Sequence, residues 1–493
     1  MRLAYLILFF AFSINISASQ NFGADSLYAE FTCAAYRFDF ENAESLADGL
    51  INRFPDSPLG YHANALLNLW YFMGSRDEGN MKVFFKFSDI SLTKFEKALD
   101  EKETPLLDYR LGEAYMFRAT MYLFNSEKIK SFWEMKKGEK FFERCNEIDN
   151  HFYDGYAGLG VFSYGLSYAP ASVKTALSLF GIKADAFAGI RYLRLAFRKA
   201  KFAKDEAAFQ LSKIYSDYFY EPDSSNYFLA PLIKKYPGNI FFNYQFAINQ
   251  IKGKNLEPAL ETLRLITSYM NKNFRQLRAY GFFLNGEIYF MRNKFKKAIK
   301  NYDKFFEFAR TDDFLGYASY KEGVAFLMLR DTAKAKEAFF LAQNGSEENC
   351  KDKSAAEESY RLLDSGMKSF DENLILGRNY IDAGKYADAV SSLMKSKPND
   401  GLELKKKLTL LGEALLDLGK TDDAGKYLKK SILLKTENSF WNAKSYYLFA
   451  KYFYALSKFE ECKSSLKSAE NEGTKCFELN AKIRRLKKKV MCR

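Results

Sequence analysis

The sequence predicts an all-α chain: an α-solenoid, a right-handed superhelix of stacked helix pairs, with insertions. Three observations carry this. A motif of Gly-x-x-aromatic followed nine residues later by Ala recurs with a period of about 34 residues. Small residues at fixed offsets alternate with large ones, the pattern of two helices that approach closely and fill the gaps between neighbouring pairs. The chain also has ample core material, 48 Phe and 33 Tyr, with 48% apolar and 27% charged residues. That balance excludes wholesale disorder, and 28 Gly and nine Pro exclude collagen-like or Pro-rich chains.

The N-terminus reads as an address. Arg2 precedes an apolar run from Leu3 to Ile16, and Ser17-Ala18-Ser19 supplies small residues before Gln20. This is the pattern of a Sec-type signal peptide, residues 1–19, cleaved after Ser19. The run rises about 21 Å as a helix, short of a hydrocarbon core of about 30 Å. The first cysteine is Cys33, so no lipid-attachment cysteine stands at the cleavage point. The expectation is an exported chain, periplasmic or secreted.

The clearest repeats begin at Ala279 (Gly286, Tyr289, Phe295, Ala298, Tyr302, Phe305) and Gly316 (Gly323, Phe326, Ala335, Phe339, Ala342). Others begin at Phe370 (Gly377, Tyr380, Tyr386, Ala389, Leu393), Lys405 (Gly412, Leu415, Ala424, Leu428) and Ala443 (Ala450, Phe453, Phe459, Cys462, Leu466, Ala469). These offsets resemble the tetratricopeptide repeat (TPR), whose consensus has small residues at positions 8, 20 and 27 and large ones at 11, 17 and 24. Weaker copies begin at Ala24 (Ala43, Pro55), Pro105 (Gly112, Tyr115, second helix displaced by an insertion) and Ile240 (Ala247, Ala259, Leu263), and Asp205 to Tyr236 reads as another pair. The long step from 316 to 370 predicts an extra helix over Ser354 to Lys368. The predicted organisation is a degenerate helical region over 20–204, a TPR solenoid over 205–476 and a basic amphipathic capping helix over 477–493.

Residues 155–196 carry a narrower pattern: Gly158-Leu159-Gly160, Ser167-Tyr168-Ala169-Pro170, Leu179-Phe180-Gly181-Ile182, Ala184-Asp185, then Gly189-Ile190 and Leu193-x-x-Ala196. This resembles the middle segment of the tetratricopeptide-repeat-39 and Iml2 type family, with Ala184 where that pattern has Gly. The resemblance implies a helical-repeat scaffold without established chemistry.

Catalytic signatures are missing from the sequence. It has no P-loop, no Gly-x-Ser-x-Gly elbow, no His-Glu-x-x-His and no Cys-x-x-Cys. Two histidines, His62 and His151, cannot build a histidine metal centre; the first reads as a partly buried helix residue and the second as a loop residue. The Gly158-x-Gly160 pair reads as close helix packing rather than a phosphate loop. No enzyme activity, metal or cofactor is expected.

Two features point to partners. TPR helices present positions 2, 5, 9 and 12 of the first helix on the concave face. For the repeats from 240, 279 and 316 this gives an aromatic groove of Phe241, Tyr244, Tyr280, Phe283, Phe290, Tyr317 and Tyr320, with Glu287 among them. The repeat from 370 is more polar there: Asp371, Leu374, Arg378 and Ile381. Such a groove suits a protein or peptide partner, unless a terminal or inserted helix fills it. The second feature is the C-terminal run Arg484, Arg485, Lys487, Lys488 and Lys489, on a helix whose apolar face is Leu479, Ile483, Leu486 and Val490. It reads as a capping helix or as a site for an anionic lipid or acidic partner. The leading expectation is therefore an exported, non-catalytic scaffold that binds a protein or peptide in its concave face, in envelope assembly or secretion. The alternative is a membrane-surface or glycan-associated adaptor using the basic helix and aromatic groove. Nucleic acid is not expected as a partner. Among the cysteines, Cys462, Cys476 and Cys492 are close in sequence, but helix geometry offsets each pair beyond bridging distance, so no intrachain disulfide is expected among them.

Overall fold

The computed structural model describes residues 22–167, 185–346 and 349–491. Residues 1–19, read above as a signal peptide, Tyr168 to Ala184 and Cys492 lie outside the described residues. Among the described residues are 24 α-helices and no strand, so the all-α expectation holds. No described helix is long and apolar enough to cross a membrane.

The small-against-large spacing is what holds each helix pair. A Cβ placed at Gly286 would lie 2.5 Å from Tyr302, at Gly323 2.6 Å from Phe339, at Gly377 2.5 Å from Leu393 and at Gly412 2.5 Å from Leu428. In all four repeats the glycine of the first helix meets the large residue sixteen positions later on the second. No side chain fits between them, so the two backbones close to a distance that buries Tyr302, Phe339, Leu393 and Leu428 to within 1% of full burial.

The turn between the helices is equally regular. Lys254, Asn293, Arg330 and Ser457 have φ between 57° and 68°, and Gly384 and Gly419 have φ of 75° and 77°. Each stands two residues before its second helix. The next amide donates back five residues: Lys294 N–H to the Tyr289 carbonyl (2.9 Å), Asp331 to Phe326 (2.9 Å), Lys385 to Tyr380 (2.7 Å), Lys420 to Leu415 (2.9 Å) and Lys458 to Phe453 (2.9 Å). This is the Schellman closure, which satisfies carbonyls that a helix end leaves open. The accepting residue is the large one at position 11, so the turn and the core are tied at one residue.

The chain forms two compact units. The first comprises residues up to 214 with 223–246 and 268–277; the second comprises 215–222, 247–267 and 278–493. This differs from the boundary read at residue 204, because the first-helix end of the 240 repeat and the 268–277 turn pack with the N-terminal helices. In the first unit Tyr36 lies against Trp70 (5.2 Å) and Tyr236 (5.1 Å), and Phe38 against Phe274 (5.1 Å). The displaced second helix of the 105 repeat is also explained. Gly112 meets Phe142 at 2.6 Å, within helices Pro105–Phe124 and Lys128–Ile148. Each arm is longer than in a regular repeat by about seven residues, two helical turns, which returns glycine and phenylalanine to the same faces.

Helices Gly155–Leu166 and Ala186–Lys199 pack closely in the first unit. A Cβ on Gly158 would sit 2.1 Å from Phe142, and Gly160 and Gly189 each face the other's carbonyl, at 2.9 and 2.7 Å. The Gly158-x-Gly160 pair thus serves close helix packing, Gly158 against the Phe142 ring and Gly160 against the backbone at Gly189. His62, 1% exposed, is stacked between Tyr28 (5.9 Å) and Phe117 (5.3 Å), with the Arg110 guanidinium 4.1 Å from the Tyr28 ring.

In the second unit helix Cys350–Ser365 is the extra helix expected between the 316 and 370 repeats. Helix Phe477–Met491 lays Leu479, Ile483, Leu486 and Val490 on Cys462 and Leu466. Cys33, Cys145, Cys462 and Cys476 are free thiols.

Substituting Gly286→Ala should lower stability by about 1–2 kcal/mol, since overpacking outweighs the helix propensity gained. Tyr302 cannot retreat, because it is buried and its hydroxyl donates to Glu287 Oε1 at 2.6 Å. Gly401→Ala, with nothing within 4 Å, should leave the melting temperature unchanged or raised. A second expectation concerns pH. Burial, helped by Arg110, pushes the His62 imidazole down to about 3. Between pH 6.5 and 3 the unfolded chain binds a proton there that the folded one refuses, so stability falls as pH falls through that window. His62→Phe should flatten the decline of melting temperature over that range; an unchanged slope would contradict it.

Candidate functional site

The seven residues read as an aromatic groove are divided by the structure. Phe241 and Tyr244 lie in the first unit, where Phe241 is buried against Phe38 (5.6 Å) and Phe274 (5.8 Å) and Tyr244 is half-buried. The other five lie in the second unit. Tyr280, Phe283 and Phe290 are buried there, and only Tyr317 and Tyr320 stay half-open. The cause is a loop side chain. Phe314, in a left-handed conformation (φ 67°) ahead of helix Leu315–Met328, stacks on Phe283 at 4.9 Å and meets the edge of Tyr280 at 6.3 Å. Phe290 packs on Phe295 at 5.5 Å. An open apolar groove is thereby replaced by core.

What remains accessible around Tyr317 and Tyr320 is charged. Lys321 Nζ lies 4.0 Å from the Phe290 ring and 5.4 Å from Tyr317. Lys351, from the extra helix, lies 5.0 Å from Tyr317. Arg378, an inner position of helix Ser369–Asp382, is 56% exposed, with Asp382 Oδ2 at 4.0 Å. Burial pushes the Lys321 ammonium down, and Arg378 and Lys351 add to this while Glu287 and Asp382 oppose it. The Tyr317 phenol is pushed up by burial and by Glu287. Three cations from three helices thus face one tyrosine pair, in surroundings where a bound anion gains more than in bulk water.

The C-terminal helix brings its own acid to this face. Glu478 accepts from Lys482 Nζ at 2.7 Å, and the ammonium groups of Lys482, Lys351 and Lys252 hold its carboxyl well below the usual carboxylate range, against desolvation. Lys482 also lies 4.6 Å from the Tyr220 ring.

The basic run is mostly engaged within the chain. Arg484 donates through Nε and Nη2 to the Tyr218 carbonyl, both at 3.2 Å, and covers the Tyr218 ring at 4.2 Å. Arg485 is half-buried. Lys487 pairs with Glu470 at 2.9 Å, and Lys488 lies 3.5 Å from Glu221 and 4.7 Å from the Phe219 ring. Lys487, Lys488 and Lys489 are exposed. The seat for these contacts, Tyr215 to Glu221, includes the π-helical turn Ile214–Tyr218, a feature no motif in the sequence announces.

His151 is in a loop, with its amide donating to Asp149 Oδ1 at 2.8 Å and its ring 3.4 Å from the Tyr153 hydroxyl. No group of metal-ligating residues occurs among the described residues. Arg378 and Glu287 had a sequence signal, their inner helix positions; Lys321 and Lys351 had none, because one is a step off those positions and the other is on the non-repeat helix.

This architecture of glycine-closed helix pairs is that of a TPR-type protein. The family described as Iml2/Tetratricopeptide repeat protein 39 matches residues 94–364, more than half of the chain, and the chain belongs to that family. No curated protein matches it. Among solved structures, a tetratricopeptide repeat protein from Parabacteroides merdae is 16% identical, covering 57% of this chain and 98% of its own, with a TM-score of 0.26. The apo quorum sensor NprR from B. thuringiensis is 13% identical over 91% of this chain and 98% of its own (TM-score 0.32). A human IFIT1 dimer with m7Gppp-AAAA is 14% identical over 93% of this chain and 92% of its own (TM-score 0.35). The repeat fold supports a role in protein interaction.

Proposed function

We propose that the chain is an exported, non-catalytic scaffold that holds an acidic segment of a partner protein against the inner face of its second unit. The observation that carries this reading is the cationic set Lys321, Lys351 and Arg378 beside the half-open Tyr317 and Tyr320. Export rests on the apolar run Leu3 to Ile16 and the small residues before Gln20. Envelope assembly or secretion is the setting such a leader suits.

The membrane-surface reading draws on the exposed Lys487, Lys488 and Lys489, although Glu470 and Glu221 already offset two of them. Coulomb attraction from so few exposed charges gives weak and salt-sensitive membrane binding.

A fluorescein-labelled deca-glutamate peptide should bind the mature protein, and the exposed double variant Lys351→Ala, Arg378→Ala should weaken it about tenfold, the loss of one charge-assisted contact, with an unchanged melting temperature. Equal binding by the variant, or preference for a deca-lysine peptide or a single-stranded oligonucleotide, would overturn the reading. Mass spectrometry of the protein from an export-competent host should find Gln20 at the N-terminus.

A further inference from the structure

Away from that inner face, the turns of three helix pairs in the second unit meet around one cleft of about 510 Å3. Lys254 comes from the turn before helix Leu256–Ser268, Arg292 and Lys294 from the turn before Phe295–Phe308, and Lys385 from the turn before Tyr386–Lys395. One acid, Glu257, lines it with them. These turns are far apart in sequence, so the cluster has no linear motif.

The charges do not cancel. Arg292 takes Glu257 at 2.7 Å. Lys254 donates to the Tyr386 hydroxyl at 2.8 Å and has Asp417 at 3.6 Å. Lys294 and Lys385 are exposed, and neither has a carboxylate within ion-pair distance. Both stand at helix N-caps, where the helix dipole adds positive potential. No aromatic ring lines the cleft, so a nucleobase has nothing to stack on. A cleft of about 510 Å3 falls in the range of small-ligand pockets.

We propose that this cleft binds a small multivalent anion, phosphoryl or carboxylate, seated between Lys294 and Lys385 with Arg292 and Lys254 behind. The proposal is independent of the peptide reading, because none of these residues belongs to the set around Tyr317.

Calorimetric titration of the full chain with inorganic pyrophosphate, and separately with citrate, tests it. Binding of either supports the site: pyrophosphate alone assigns phosphoryl chemistry, and both together assign a general polyanion. The variant Lys294→Gln, Lys385→Gln should lose at least tenfold in affinity. The variant Lys420→Gln, Lys458→Gln changes two exposed N-cap lysines of the same kind, on helices Thr421–Leu433 and Phe459–Asn471, that do not line the cleft. It should stay within twofold of the parent, and both variants should keep the parental melting temperature. Three results would overturn the proposal: no heat with either anion at millimolar concentration, equal loss in both variants, or co-sedimentation with phosphatidate vesicles without binding of either free anion.

Discussion

The fold depends on one repeated steric constraint: a glycine on the first helix of each pair lies flat against a large side chain on the second. At Gly286, Gly323, Gly377 and Gly412 there is no room for a methyl group. The close approach does two things. It buries Tyr302, Phe339, Leu393 or Leu428 inside its own pair, and it sets the angle at which the next pair must stack, since a single pair leaves its outer apolar face uncovered. The Schellman turn adds a fixed exit, because it satisfies the carbonyl of the large residue at position 11, buried at Leu415 and half-buried at Tyr289, Phe326, Tyr380 and Phe453. The first unit reuses the device in a longer form at Gly112 and Phe142, and takes it to backbone contact at Gly160 and Gly189.

These constraints were legible in the sequence wherever they act through spacing. Glycine and its partner stand at fixed separation, and the extra helix follows from a step too long for one repeat. Spacing did not reveal the turns, because four of the six left-handed turn positions are Lys, Asn, Arg or Ser rather than Gly. It also misjudged the groove. Tyr280 and Phe283 do occupy inner helix positions, but a loop ring, Phe314, lies on them, and loop conformation carries no periodic signal. The polar residues that replace the groove come from three regular helices and one helix outside the repeat, so only Arg378 and Glu287 could be found by counting.

The inner face of the second unit is therefore a place where charge, more than apolar surface, is left available. The chain's net charge of +13 is spread widely, yet around Tyr317 it is concentrated by Lys321, Lys351 and Arg378, which Glu287 and Asp382 offset only in part. The C-terminal helix adjusts this balance from the other side, adding Glu478 and Lys482 while its apolar face completes the last pair. Its arginine and lysines hold the segment Tyr218 to Glu221 by a carbonyl, three rings and a carboxylate, so the helix closes its own unit as well as capping the array.

The most direct test of the glycine constraint is a nuclear Overhauser measurement on protein labelled at glycine and at aromatic rings. Cross-peaks between the α-protons of Gly286 and the Tyr302 ring, Gly323 and Phe339, and Gly112 and Phe142 are the expected result, with none from Gly401, which has no neighbour within 4 Å. Absence of the three cross-peaks in a folded, helical sample would mean that the helix pairs are not closed through these glycines and would contradict the account.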